Sequence, residues 1–504
     1  MKKNGIIAFF CIMITMGCST VTEYRNEIYD RVPPLEKNQY SKLTSYDELT
    51  EYLGWAASHS DAIELEYVGE SVEGRKIPLL KVSHEKMPND LVTIFMFAQQ
   101  HGDEPSGKEG IQLLINDILK ERDKHWLDYV NLLIMPMANP DGAELDKRRN
   151  ASGRDMNRDH LVMMTPEVQT IHHVFQKYTP EVTIDVHEYD PYSKTWKEFG
   201  YLKNFDIQIG FLTNSNVENS IIDLFYNEIK PFMKSYITSV GYTFHEYTLG
   251  NLNEMKRLRN STIDVNDGRQ SFGILNSLSF IVEGKYGLNS IDNLERRAKS
   301  QYVTMRGFIA YVSEHSYKIK SLIRTARDKL IYSKKGDTVA IRIEHSKGDS
   351  SLRFPLLSMK TGEDSVFTVT EYYPKSTPTL FVEKPSAYLV PASEIKLVDW
   401  LKRSAFDYKL YQYNENDFIT YYVIKSVETG VSDEPMEFHD VKVSKETYTK
   451  EIVDGDYVIV PINQLRSNKI VIALEPQSML GIINYPEFEY LVKSESVYPV
   501  LRLE

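Results

Sequence analysis

The 504-residue sequence predicts an α/β protein: a mixed central sheet flanked by helices, followed by a β-rich C-terminal region. Three observations predict it. Residues 91–98 (Val92, Ile94, Phe95, Phe97) are apolar on both faces, as the central strand of a covered sheet is. Strand patterns alternate with helical ones from Tyr46 to Phe308, which is the signature of layered α/β architecture. After Tyr332 the pattern shortens to alternating segments broken by Gly, Asp, Ser and Pro, as in antiparallel β structure.

Taken in order, the chain opens with Lys2-Lys3 and an apolar stretch, 5–16, too short to span a bilayer. Residues 1–17 are therefore expected to be a signal peptide. Gly17-Cys18 resembles the bacterial lipoprotein processing site, although Thr15 stands where that motif usually carries Leu. The resemblance implies lipidation at Cys18 and an exported cell-envelope protein held in the outer membrane by that anchor. The only cysteines are Cys11 and Cys18, so the mature chain is expected to have no disulfide. Residues 18–40, polar and containing Pro33-Pro34, suit a tether.

Residues 41–330 are expected to form the main domain. A helix is predicted over 46–57, then paired strands over 63–68 and 77–82 around a turn at Glu73-Gly74. The buried strand 91–98 follows, then an amphipathic helix over 107–119 and a second buried strand over 130–137, stopped by Asn139-Pro140-Asp141-Gly142. Short strands end at His187 and at Glu283, and a helical stretch from Gln301 to Leu330 closes the domain. In 331–504 strands are predicted over 338–343, 366–370, 418–424, 457–460 and 469–472, with a helix over 392–403. That region shows no cluster of metal ligands and is expected to pack on the main domain or to recognise a partner. Its tyrosines (Tyr372, Tyr373, Tyr411, Tyr413, Tyr421, Tyr422) suit sugar stacking or strand-face packing equally.

Composition is that of a soluble globular protein, 42% hydrophobic and 26% charged. The formal charge of -12 excludes a basic field that would gather phosphates, so no nucleic-acid partner is expected.

The chemistry gathers at strand ends, where ligands bind in open α/β sheets. His101-x-x-Glu104 leaves the strand 91–98, and His187 offers a third ligand. Two imidazole nitrogens and a carboxylate leave an open fourth position, which is the catalytic arrangement of zinc. Glu283, also at a strand end, is placed as a base that acts on water without ligating the metal. His187 as a core histidine and Glu283 as a strand-end ion pair are the plainer alternatives.

His101-x-x-Glu104, Asn139-Pro140-Asp141-Gly142, Asp155-x-Asn157-Arg158, His187 and Glu283, in this order, resemble the zinc metallocarboxypeptidases of the carboxypeptidase A-like type over about 40–318. Residues 69–75 look like the hairpin that opens bacterial members. The resemblance implies one zinc ion held by His101, Glu104 and His187, with Asp155 orienting His101. It implies hydrolysis of a peptide bond near a free C-terminal carboxylate, with Glu283 as general base and Arg148 stabilising the oxyanion. Arg148 is preferred to Arg149 because Arg148-x-Asn150 matches the family spacing. Asn157 and Arg158 would clamp the substrate carboxylate. Arg269, in the segment 268–273, either binds an acidic substrate group or pairs with a structural carboxylate.

The sequence departs from the family in having no tyrosine between Tyr247 and Glu283, which leaves Tyr247 as a weak candidate for the mobile active-site tyrosine. Asp103 has no assigned role, and His160, His172, His173 and His245 are expected at the surface. Rival readings are a peptidoglycan stem-peptide carboxypeptidase or amidase, a metal-dependent deacylase, and an inactive substrate-binding module. The oligomeric state stays open.

Overall fold

A computed structural model describes residues 31–84, 87–121, 124–251, 257–432, 437–449 and 452–504. The expected signal peptide and the Cys18 lipidation site lie outside the described residues. Among them, eight strands form the main sheet: β1 (Ile63–Glu70), β2 (Lys76–Val82), β3 (Val92–Ala98), β4 (Val130–Met135), β5 (Val182–Tyr189), β6 (Ile207–Gly210), β7 (Phe244–Glu246) and β8 (Leu278–Lys285). Their spatial order is β1-β2-β4-β3-β5-β8-β6-β7. The four inner strands β4-β3-β5-β8 run parallel, and antiparallel pairs β2–β4 and β8–β6 flank them, so the sheet is mixed.

Alternation along β3 builds both cores. Phe95 and Phe97 face the side covered by α3 (Pro166–Tyr178), while Ile94 and Met96 face α1 (Tyr46–Ser58) and α2 (Ser106–Lys120) with α4 (Leu294–Glu314) and α5 (Ser316–Ile331). Ser45 and Glu48 form a capping box that fixes the start of α1. After β3 the chain crosses to β4 on one side and later to β5 on the other. The crevice between β3 and β5 is thus a topological switch point.

β4 ends ahead of Asn139-Pro140-Asp141-Gly142, and that segment goes on to open a short helix, Pro140–Glu144: Asn139 Oδ1 caps it by accepting from the Gly142 N–H at 2.9 Å, and Pro suits its first turn. Buried Asp141 then accepts from Ser71 Oγ (2.8 Å) and Arg75 Nη1 (2.6 Å), tying the β1–β2 hairpin to this turn. Residues 469–472 are helical, within Ser467–Leu474, because a short apolar run does not by its period distinguish a strand from a buried helix. His160 and His172 are buried, not at the surface; they bond each other at 3.1 Å and pack on Phe272. His245 is partly buried and stacks on Phe205, whereas His173 is exposed. The expected tether does not extend through 40: Leu35, in the helix Pro34–Lys37, is buried against Leu113, Leu294 and Ala298.

The C-terminal region is β-rich, with strands such as Ala387–Pro391, Ile419–Val431, Glu437–Thr447 and Tyr457–Pro461 in one antiparallel sheet. It shares the core on the Phe95 face through Val339, Trp400 and Ile470. It also braces the 154–162 loop, since Trp400 Nε1 donates to Leu161 O (2.9 Å), Arg403 Nε to Val162 O (2.8 Å), and Arg154 pairs with Glu487. Its tyrosines serve packing in part: Tyr411 and Tyr422 are buried, and Tyr372 OH donates to Asn260 Oδ1 at 2.7 Å. No helix among the described residues is long and apolar enough to cross a membrane.

Candidate active site

The loop after β3 turns back on the turn after β4. A Cβ at Gly102 would lie 2.1 Å from the Gly142 backbone, so only glycine lets these two loops meet. That contact delivers His101 and Glu104 to the mouth of the β3–β5 crevice. Parallel register brings the other two groups: Glu283 on β8 pairs with His187 on β5.

His101, Glu104 and His187 converge, all buried, with ligand atoms within 4.8 Å of one another. Glu104 Oε1 lies 2.8 Å from His101 Nδ1, and its Oε2 lies 2.8 Å from His187 Nδ1. The far ring nitrogens are engaged elsewhere. His101 Nε2 meets Asp155 Oδ1 at 3.1 Å, and His187 Nε2 meets Asp185 Oδ1 at 2.8 Å. Each carboxylate accepts a hydrogen bond from an Nε2–H, which keeps the proton there and leaves both Nδ1 lone pairs aimed at the centre beside the Glu104 oxygens. That donor set, His₂Glu with both tautomers fixed, fits zinc.

Asp185 was not foreseen from the sequence. It stands two residues before His187 on one strand, hence on the same face, and that spacing was the available signal. Gln100 Nε2 steadies it at 2.8 Å, and Gln100 Oε1 bonds His160 Nε2 at 2.7 Å, which explains the buried histidine. Asp185→Asn is expected to weaken zinc binding about 10- to 100-fold, measured by competition with a chelator. Unchanged affinity would remove Asp185 from the positioning role.

Arg148 reaches inward, with Nε donating to Asp155 Oδ2 (3.1 Å) and Nη1 lying 3.3 Å from Glu104 Oε1. Arg149 turns away and donates to Gly153 O. Arg158, an exposed residue, lines the cleft, and its guanidinium is held by a 2.6 Å bond from Nη1 to Asn157 O. Asn157 is buried; its Oδ1 accepts from Gly268 N at 2.8 Å and its Nδ2 lies 3.2 Å from the His187 ring. Arg269 resolves toward the structural alternative, because its guanidinium is buried against Asp267 Oδ2 (2.8 Å), Thr262 Oγ1 and Ser261 Oγ.

Glu283 is 6% exposed. Burial pushes its carboxyl up to about 7, Glu104 adding to the rise while His187 and His101 oppose it. It shares a cleft of about 370 Å³ with His101, His187, Arg158 and Tyr247, the last being partly buried there.

A family model described as zinc carboxypeptidase, peptidase M14, matches residues 52–272. Residues 52–272 are a zinc carboxypeptidase domain. That match, with the His101, Glu104 and His187 donor set, supports a hydrolase that carries a zinc carboxypeptidase-like domain. Glu283 lies beyond the matched residues. Carboxypeptidase 2 of Trichophyton rubrum is 26% identical over 489 residues, 89% of this chain and 83% of that one. Carboxypeptidase SOL1 of Arabidopsis thaliana is 36% identical over 98 residues, 18% of this chain and 20% of its own. Among solved structures, a metallo-carboxypeptidase from Pseudomonas aeruginosa in complex with (2-guanidinoethylmercapto)succinic acid is 18% identical, covers 55% of this chain and 71% of that one, and has a TM-score of 0.43.

Proposed function

We propose that this zinc carboxypeptidase removes residues from the free C-terminus of peptides. One observation carries the reading: a single cleft holds the His101, Glu104 and His187 donor set, the buried Glu283 carboxyl and the Arg158 guanidinium. His101 Nδ1, His187 Nδ1 and the Glu104 carboxylate would hold the ion. Bound zinc supplies a Lewis acid that polarises a carbonyl and acidifies water.

The chain's own groups do the rest. Arg158 receives the terminal carboxylate in a two-pronged bond, and Asn157 keeps its backbone carbonyl under that guanidinium. Arg148, anchored on Asp155, offers N–H donors where negative charge grows on the attacked carbonyl oxygen. Glu283 takes a proton from the attacking water and returns it to the departing amine, a task suited to a carboxyl near neutrality. The name carboxypeptidase 2, carried by the fungal relatives, supports the same reaction class.

Residues 1–17 as a signal peptide and Cys18 as a lipidated residue make the protein a bacterial cell-envelope enzyme, with 41–330 as its catalytic part and 331–504 as a β-rich addition. That location favours a second reading, a peptidoglycan stem-peptide carboxypeptidase or amidase. Mass spectrometry of purified, zinc-loaded protein with free-terminus peptides, their C-terminal amides and stem peptides tests both. Stepwise loss of terminal residues from free-terminus peptides alone is expected; equal cleavage of the amides would overturn the exopeptidase reading.

A further inference from the structure

With Arg269 tied to Asp267, the cleft still holds one interior cation that the sequence reading did not single out. Lys203 lies between the strand Tyr201–Leu202 and β6, lines the same cleft as Glu283 and Arg158, and is 6% exposed. Its Nζ donates to one acceptor, the Thr248 carbonyl, and no carboxylate among the described residues stands within ion-pair distance. The rings of Trp196 and Tyr189 flank the ammonium, with centroids 5.5 and 6.0 Å away. Both rings are fixed in place: Trp196 is buried against Phe354, and Tyr189 OH donates to Phe205 O at 2.6 Å. An ammonium has three donors, so two N–H groups stay without an acceptor beside the space that substrate must fill.

Such a group is costly to bury without an anion. Burial pulls the Lys203 pKa down to about 8, while Glu283 acts to raise it, so the ammonium persists at neutral pH. Glu283 is the base and cannot serve as its permanent counter-ion, nor does it lie within ion-pair distance. A carboxylate that arrives with substrate meets both unfilled N–H groups and a rigid aromatic wall. With Arg158 holding the terminal carboxylate, the side chain of the last residue is the part of a peptide left to meet the other groups that line the cleft, Lys203 among them.

We infer that Lys203 determines specificity, selecting peptides whose C-terminal residue carries a second, side-chain carboxylate. The inference rests on the C-terminal exopeptidase reading and deepens it. The substrate class is then an acidic-ended peptide, with Arg158 and Lys203 each taking one of the two carboxylates of its last residue.

The test compares three peptides that differ only in a last residue of Glu, Gln or Leu, using zinc-loaded full-length protein. For the unaltered protein, kcat/KM is expected to favour Glu over Gln by about 10- to 100-fold, the range of a charge-assisted bond to a buried group. Lys203→Met should bring the Glu peptide down to the Gln level, so that the ratio of their kcat/KM values falls to about one, and Lys203→Arg should keep the preference. Gln or Leu cleaved as well as Glu by the parent protein would overturn the inference and leave the exopeptidase reading intact. Cleavage of none of the three would overturn that reading instead. Calorimetry with N-acetylglutamate and N-acetylglutamine then decides the inference separately: tighter binding of N-acetylglutamate, lost in Lys203→Met, supports it, and equal affinity overturns it.

Discussion

Glu283→Gln is expected to retain its zinc and lose roughly 10²- to 10⁴-fold in kcat, the contribution of a positioned general base. The carboxyl is buried, lies on β8 opposite His187, and has no metal-ligand role in the donor set. Glutamine keeps the volume and hydrogen-bonding shape, so the fold and the metal should survive while the proton acceptor is gone. The sign of the pH dependence follows from the same burial. The base must be ionised, and its carboxyl stands raised to about 7, so kcat/KM should fall as pH drops through that region. A cation bound beside it draws the value down, which places the acid limb at or below about 7. Zinc content measured with turnover, across pH, separates the outcomes. Full activity in the glutamine variant removes Glu283 from the role of base.

Much of the fold was legible because β3 and β4 bury both faces, and such runs are read without any alignment. The donor set was legible because its members sit at the ends of parallel strands, where chain direction alone sends them to one edge. Periodicity failed where both answers are buried, as at 469–472, and hydrophilic residue type misled at His160 and His172. Those two histidines are buried because they continue a chain of hydrogen bonds from His187 through Asp185 and Gln100, a tertiary fact with no local signature. Lys203 was invisible for a similar reason: an isolated lysine reads as surface until aromatic residues from other segments close over it. Arg269 shows the converse. The sequence showed a cation near the site, and only the fold shows that Asp267, Thr262 and Ser261 hold it.

Two adjacent carboxylates provide the sharpest contrast in expected effect. Glu104→Ala should reduce bound zinc from about one ion per chain to near zero at micromolar protein and abolish turnover, since a three-ligand site left with two histidines binds the ion far more weakly. The loss goes beyond the metal. Glu104 Oε2 also accepts the Glu188 N–H at 3.1 Å, and its two oxygens face two buried imidazoles, so alanine leaves several buried polar groups without partners. Asp103→Ala should do little. One Asp103 oxygen is buried with no hydrogen-bond partner, and burial, with Glu104 adding to it, raises the carboxyl pKa, which marks a group whose charged form is disfavoured where it stands. Removing it costs no donor its acceptor at that oxygen, and zinc content and kcat should stay within about twofold of the parent. Glu104→Gln separates size from charge: it keeps one ligating oxygen but not the anion, and should bind zinc more weakly than the parent yet better than alanine. Metal analysis and steady-state kinetics on the three variants settle the ordering, and equal losses at positions 103 and 104 would sink it.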